Sequence, residues 1–543
     1  MGELIASVTG EKTMHILDWI VVLCYFGTIV SMGFYFSKRQ KTTGQYYTGG
    51  RSMPAWAVGI SILATLISSI TFLAYPGAGY EGKWILLVQG LMVPIVLVSL
   101  IWIIVPMYRN IIGISTYEFF EKRFGYGARL YSSVAFSSAH FIKMGTVFYL
   151  LSMALASMTG VTTYNVILVL GIIVILYTLL GGIEGVVWCE VIQGFLLMGG
   201  GLICIAVLLF RPQGGPVNVL STAWENKKFF FGPYDIDFTK LTLIVMALNG
   251  IFYALQKYGT DQTIVQRFLV AKSDKAAEKA ALIGVLLCVP VWTLFMFIGT
   301  SLWSYYDITA LELPARVLEK SDRVFPYFIM DQLPIGITGL ILAALMSAAL
   351  SSLDADLNCL SAVIVEDYYR KARPSSTDRE RLVIGKIAVV ICGVSAMIIA
   401  SAYVAYSTGG VLGKVFALYA IVSGGIAGLF VLGFFTTRAN RKGCYVGIIA
   451  CILFTSYAFL SSFKLQNPDG TTRIFLDLNK IFGVDYLNFP HHKYMLGVYS
   501  HLVLFGVAYI ASFFFKHDKD LTGLTFYGWR KTHKKVAEVA REV

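Results

Sequence analysis

Ala64-Thr-Leu-Ile-Ser-Ser-Ile-Thr-Phe72 puts a cluster of hydroxyls in the middle of an apolar run, and Pro76-Gly77 follow closely behind it. Ser and Thr in such a place can bond back to their own helix carbonyls. Together with Pro and Gly they also mark a helix that stops and restarts. The surrounding chain has 543 residues, 57% of them hydrophobic and 14% charged; a soluble domain carries roughly 25% charge. Apolar stretches of about 18 or more residues recur along its length, which predicts an all-α polytopic membrane protein.

A second interruption, Leu248-Asn-Gly-Ile-Phe-Tyr-Ala-Leu-Gln-Lys-Tyr-Gly-Thr-Asp-Gln262, mixes Gly and polar groups into another apolar run. About thirteen spans are expected, centred in 16–36, 55–75, 84–105, 130–157, 162–180, 186–210, 241–258, 279–303, 334–364, 382–402, 412–434, 444–461 and 494–515. The two interrupted spans are the second and the seventh. They stand five apart, as in a repeat of five plus five. Broken helices at corresponding places of two halves point to a transporter site.

Basic residues fall in alternate loops: Lys38, Arg39, Lys41 and Arg51; Arg109, Lys122, Arg123 and Arg129; Lys257, Arg267, Lys272, Lys275 and Lys279; Arg370 to Arg381; Arg438, Arg441 and Lys442; and the tail from Arg530 to Lys535. The positive-inside rule makes these cytoplasmic, with the N-terminus outside and the C-terminus inside, which an odd number of spans requires. Topology therefore accounts for the net charge of +12, and a nucleic-acid partner is not expected. The polar connections at about 211–240, 304–333 and 462–493 then lie outside. The basic tail is expected to be solvated or to rest on anionic headgroups.

Two further stretches carry polar groups at depth. Glu190 is the single ionised-type residue between Val186 and Gly201. A carboxylate there is costly and must face a partner, an ion or a water-filled cavity. Ala344-Leu-Met-Ser-Ala-Ala-Leu-Ser-Ser-Leu-Asp-Ala-Asp-Leu-Asn358 combines small residues, which let helices approach closely, with hydroxyls that suit Na⁺. Asp354 lies on the side of Ser351, and Asp356 points elsewhere.

Other classes find little support. An enzyme needs a nucleophile with its base or a metal cluster. Of the seven histidines only His140 is firmly inside a core span, with no ligand pair beside it, and the eight cysteines read as free packing thiols. There is no phosphate-binding loop of the ATPase kind, and no selectivity-filter loop of a channel.

Taken together, Tyr177 to Gln193, Gln262-Thr-Ile-Val-Gln-Arg267, Ser351 to Asn358 with Glu366-Asp367-Tyr368, and Arg438 to Gly447 resemble the sodium:solute symporter family over roughly residues 15–515. That family includes sodium/glucose cotransporters and bacterial sialic acid transporters. The resemblance implies a LeuT-type fold of two inverted five-helix repeats. The chain then divides into an extracellular N-terminus (1–15), an extra helix (16–36), the core (55–434), two C-terminal helices (444–515) and a basic cytoplasmic tail (516–543). It implies no enzyme but a Na⁺-coupled importer working by alternating access in the lipid bilayer, of the bacterial inner membrane by its kinship.

Carried over by motif, the main Na⁺ site falls on the carbonyls of Ala64, Ile67 and Ala348 and the hydroxyls of Ser351 and Ser352. Some members have a second Na⁺ site built from an acid and hydroxyls. Here the matching positions are Glu190, Asp354 and Ala355, so two carboxylates are expected to hold a second Na⁺ or share a proton. The implied solute pocket takes in Ser68, Thr71, Lys143 and Lys257, with Gln89 one residue off the pocket position at Gly90. Lys143 stands where the sialic acid transporters have an arginine for the substrate carboxylate, and sugar transporters a neutral amide. Lys257 falls near an inner-gate tyrosine. The lysine and glutamine of the bacterial sugar site are matched by apolar residues near Leu286 and Phe416. The expected solute is a carboxylate such as a sialic acid; a neutral sugar or polyol is the alternative.

Overall fold

The computed structural model describes residues 14–406, 424–466, 471–516, 521 and 523–531. The N-terminal residues 1–13, Phe416 and most of the basic tail lie outside the described residues. The long helices are α1 (Ile16–Ser37), α2 (Ala55–Leu66), α3 (Ser69–Tyr80), α4 (Leu87–Ile111), α5 (Tyr126–Thr159) and α6 (Thr163–Phe210). There follow α7 (Leu243–Gly259), α8 (Gln262–Val270), α9 (Asp274–Thr309), α10 (Ile337–Val363), α11 (Asp378–Ala405), α12 (Ile426–Phe435), α13 (Arg441–Leu460) and α14 (Lys493–Ala511).

The hydroxyl cluster at 64–72 does break its span. Ile67 (φ −92°, ψ 121°) and Ser68 (φ −121°, ψ 177°) are extended, and α2 meets α3 at 61°. Ser68 restarts the helix as its N-cap, its hydroxyl accepting from the Ile70 amide at 3.3 Å. The second interrupted stretch, 248–262, breaks as well, just past the seventh expected span. Helix α7 ends at Gly259, and Asp261 caps α8 by accepting from the Thr263 amide at 2.9 Å.

Among the described residues, nine helices are long and apolar enough to cross a membrane, ten if the bent pair α2–α3 is one span. This count does not reach the expected thirteen, for three physical reasons. The fifth and sixth spans follow one another within a single 48-residue helical stretch, α6, as two helices joined at a kink at Gly182 (φ 54°, ψ −162°), a conformation that glycine adopts readily. The seventh is a single helix of only 17 residues, α7, that stops before the separate buried helix α8. The eleventh falls largely on 407–423, outside the described residues. Of the polar connections, 211–240 holds a helix at Gly215–Glu225, and 462–493 an antiparallel pair, Lys464–Gln466 with Thr472–Ile474.

Two contacts fix the frame around the broken helix. Helix α9 lies so close to α3 that a Cβ added at Gly299 would meet the Pro76 carbonyl oxygen at 2.0 Å. At the other side, Asp18 of α1 accepts from the amides of Gly336 (2.7 Å) and Gly339 (2.8 Å), the first turn of α10. Its carboxylate satisfies two of that helix's unpaired donors and complements the positive end of its dipole.

Candidate functional site

Breaking α2 leaves the carbonyls of its last turn without helical amide partners. Helix α10 brings two hydroxyls to them. Ser351 Oγ donates to the Ala64 oxygen at 3.0 Å and stands 3.4 Å from that of Ala348; Ser352 Oγ reaches the Thr65 and Ile67 oxygens, each at 3.4 Å. All five residues expected at the main Na⁺ site are thus gathered at one buried point. Three of these four contacts are at the long edge of hydrogen bonding. What the point offers is a convergence of neutral, hard oxygens without a carboxylate among them, a donor set that suits a hard monovalent cation.

Glu190 lies one step away and has a partner the sequence reading assigned elsewhere. Arg267 Nη2 approaches its Oε1 at 2.6 Å, Thr65 Oγ1 donates to the same oxygen at 2.9 Å, and Ser61 Oγ donates to Oε2. Both charged side chains are 0% exposed. Arg267 was counted with the cytoplasmic loop charges; it is instead buried, because the whole of α8 is buried rather than forming a loop. Asp354 does not join Glu190 through a shared donor. Its Oδ2 accepts from Tyr177 at 2.8 Å, and its Oδ1 has no hydrogen-bond partner among the described residues.

The glutamines of the Gln262–Arg267 stretch explain why that segment sits so firmly. Gln262 accepts from the Thr116 amide at 2.7 Å and donates to the Ile114 carbonyl at 2.7 Å. Gln266 donates to the Tyr47 carbonyl at 2.7 Å and to Asn358 Oδ1 at 2.9 Å. The two glutamines and Arg267 thus fasten α8 to α10, to α6 and to the segments around Tyr47 and Ile114–Thr116.

Lys143 and Lys257 belong to one row of charges. Lys143 Nζ is 3.1 Å from Asp356 Oδ1, and His140 Nδ1 is 2.7 Å from the same oxygen. His140 Nε2 faces Asp261 Oδ2 at 3.3 Å, and Lys257 Nζ contacts that oxygen at 2.5 Å. The row crosses from α5 and α10 to the break between α7 and α8. Lys143 is 27% exposed and Lys257 13%, so both ends keep accessible surface while Asp356 is wholly covered. Asp356 does point away from Asp354, as helical spacing predicts. The sequence reading noted His140 and Asp356 without giving them a role, and Asp261 only as part of the second interruption; the signal for their meeting was present in lone ionisable residues at membrane depth, which seek one another.

The remaining expected pocket residues are only partly gathered. Ser68 and Thr71 are buried on α3, and Gln89 of α4 faces α7 where Gly250 lets the two backbones approach. Leu286 is 50% exposed on α9. At the far end of α5, Arg129 pairs with Asp367 and, at 2.5 Å, with Glu121, and donates to the Glu366 carbonyl at 3.0 Å. Glu366 and Asp367 lie in a π-helical turn, Ile364–Tyr369, that extends α10, and Glu121 in the short helix Glu118–Phe124.

Residues 46–451 match the model of the sodium:solute symporter family. The chain is 32% identical over 440 residues to the sodium/sialic acid symporter NanT of Aliivibrio fischeri, covering 80% of this chain and 86% of that protein. It is likewise 32% identical over 439 residues to the sodium/sialic acid symporter SiaT of Proteus mirabilis, covering 80% and 88%. A solved structure described as the substrate-bound outward-open state of a Na⁺-coupled sialic acid symporter superposes with a TM-score of 0.82 at 28% identity, over 93% of this chain and 99% of that one.

Proposed function

Since this chain belongs to the sodium:solute symporter family, and so has the LeuT-type fold and moves a small solute with Na⁺ across a membrane, we propose that its solute is a carboxylate of the sialic acid kind. Na⁺ is held by Ala64, Ile67, Ala348, Ser351 and Ser352. The observation that carries the ion site is the convergence of two α10 hydroxyls on the carbonyls freed by the α2–α3 break. Bound there, Na⁺ ties the broken helix to α10 and favours the state that receives solute. Lys143 then meets the carboxylate from its accessible position on α5, with Ser68, Thr71 and Gln89 along the pocket and Lys257 towards the inner gate. The membrane potential adds about 2.3 kcal/mol per charge per 100 mV to inward movement. The N-terminus lies outside and the C-terminus inside, in a bacterial inner membrane, as the loop charges favour.

Lys143 already has an anion in Asp356, and this favours the second reading, a neutral sugar or polyol for which Lys143 is structural. Thermal stabilisation of the purified protein by N-acetylneuraminate decides between them, because a ligand stabilises the state it binds. The expected result is Na⁺-dependent stabilisation that drops by at least about tenfold in apparent affinity in Lys143→Gln, a loss of roughly 1.4 kcal/mol or more. Stabilisation by glucose or a polyol, unchanged in that variant, supports the neutral solute instead.

For Glu190 and Asp354 the proposal is narrowed. Both oxygens of Glu190 already have donors, with Arg267 as counter-ion, so Glu190 serves the protein and not a second cation. Asp354→Ala is therefore expected to leave the number of Na⁺ moved per solute unchanged in a reconstituted flux assay. A drop by one Na⁺ would restore the two-carboxylate site.

A further inference from the structure

His140 sits between two carboxylates, with a different one at each ring nitrogen: Asp356 at 2.7 Å from Nδ1 and Asp261 at 3.3 Å from Nε2. A neutral imidazole has one N–H and one lone pair. It can donate to only one of the two, and it turns its lone pair on the other. One added proton removes that repulsion and makes both contacts donor to acceptor. The geometry is therefore that of a proton-binding position, in a residue type whose charge changes in the physiological range.

The charge count gives the proton a role. Lys143 and Lys257 balance Asp356 and Asp261, so the row is neutral without the proton and carries +1 with it. The groups facing His140 are these four: Lys143 on its own helix, Asp356 on α10, and Lys257 and Asp261 at the α7–α8 break. Cys359 of α10 and Tyr117 lie within electrostatic reach of the carboxylates, and Phe136 covers the ring at 4.0 Å between centroids. Asp356 is the pivot. Its Oδ1 receives both His140 and Lys143, and its Oδ2 has no partner among the described residues. A charged His140 can neutralise Asp356 without Lys143, which would free Lys143 for an incoming anion.

We propose that protonation of His140 switches Lys143 from its internal counter-ion to the solute carboxylate, so that the solute anion and a proton bind together. This rests on the carboxylate reading above. By linkage, the proton raises solute affinity and the solute raises proton affinity by the same factor. Affinity then falls as pH rises, by at most about tenfold per pH unit for one linked proton.

The test uses the full-length purified protein in saturating Na⁺, with N-acetylneuraminate and its uncharged methyl ester as probes, titrated calorimetrically from pH 5.5 to 8.5. The expected result is tighter binding of the acid than of the ester at low pH, a loss of that advantage of at least tenfold across the range, and uptake of a proton seen as a buffer-dependent heat. In His140→Asn the pH slope and the proton uptake vanish. Asp261→Asn, which removes one of the two carboxylates, moves the fall to lower pH. Preference for the acid with a flat pH profile, or a slope unchanged in His140→Asn, overturns the switch and leaves the carboxylate reading standing. Equal binding of acid and ester overturns both. Without any solute, ¹⁵N-histidine spectra assigned by their loss in His140→Asn supply an independent reading. A His140 ring that stays neutral from pH 5 to 8 overturns the switch whichever solute the protein carries.

Discussion

Arg267→Met is expected to yield a protein that inserts poorly and melts far below the wild type. The substitution leaves the Glu190 carboxylate, 0% exposed, with only the hydroxyls of Ser61 and Thr65 for company. Removing one member of a buried pair costs about 3–5 kcal/mol, because the other charge stays behind without compensation. Against a total stability of about 5–15 kcal/mol that is a large share. The pair also joins α6 to α8 beside the last turn of α2, so its loss loosens three elements together. Glu190→Gln combined with Arg267→Met removes both charges and keeps an acceptor for the hydroxyls. The double variant is expected to recover most of the loss, the two sites being in direct contact and so far from additive. Monodisperse yield and melting temperature in detergent read both effects. A single variant as stable as the wild type would show that the ion pair contributes nothing.

The second large effect is on the ion rather than on the fold. Ser352→Ala removes the one hydroxyl that reaches both Thr65 and Ile67 across the break. Taken as comparable to a hydrogen bond to a charged group, a lost oxygen ligand costs roughly 1.5–3 kcal/mol. The Na⁺ concentration for half-maximal uptake is then expected to rise by about tenfold or more. The fold should be little affected, since alanine fits among the small residues of α10. Uptake by proteoliposomes over a Na⁺ series measures the shift. An unchanged Na⁺ dependence in a well-folded variant would remove Ser352 from the site.

How much of this was readable in the chain can be judged from particular residues. The break at Ile67–Ser68 was legible because hydroxyls, Pro76 and Gly77 interrupt an apolar run. The meeting of Ser351 and Ser352 with Ala64 and Ile67 was legible only through family resemblance, since nothing in local spacing says that α2 and α10 touch. Arg267 was misread because a basic residue near the end of a span resembles a loop charge. Its partner lies 77 residues away, a relation that hydropathy does not carry. The row from Lys143 to Lys257 was missed for the same reason. Each member was visible as a lone polar residue, but the order in which His140 links Asp356 to Asp261 depends on how α5, α10 and the α7–α8 break are assembled. The boundary between the fifth and sixth expected spans was legible in Gly181-Gly182-Ile183-Glu184-Gly185, and the structure has its kink there, at Gly182, within one helical stretch.

Asp18 stands outside the repeat yet grips the first turn of α10 by two amides. The serine-bearing helix is thus clamped at the end opposite to its acids, whereas the bend at Ile67–Ser68 interrupts α2–α3 without such a clamp among the contacts described above. A clamp of this kind is expected to make α1 and α10 a fixed rail against which the angle of the broken helix changes. Labels on α1 and α10 would keep a constant separation through the cycle, while a label on α3 would report each stroke.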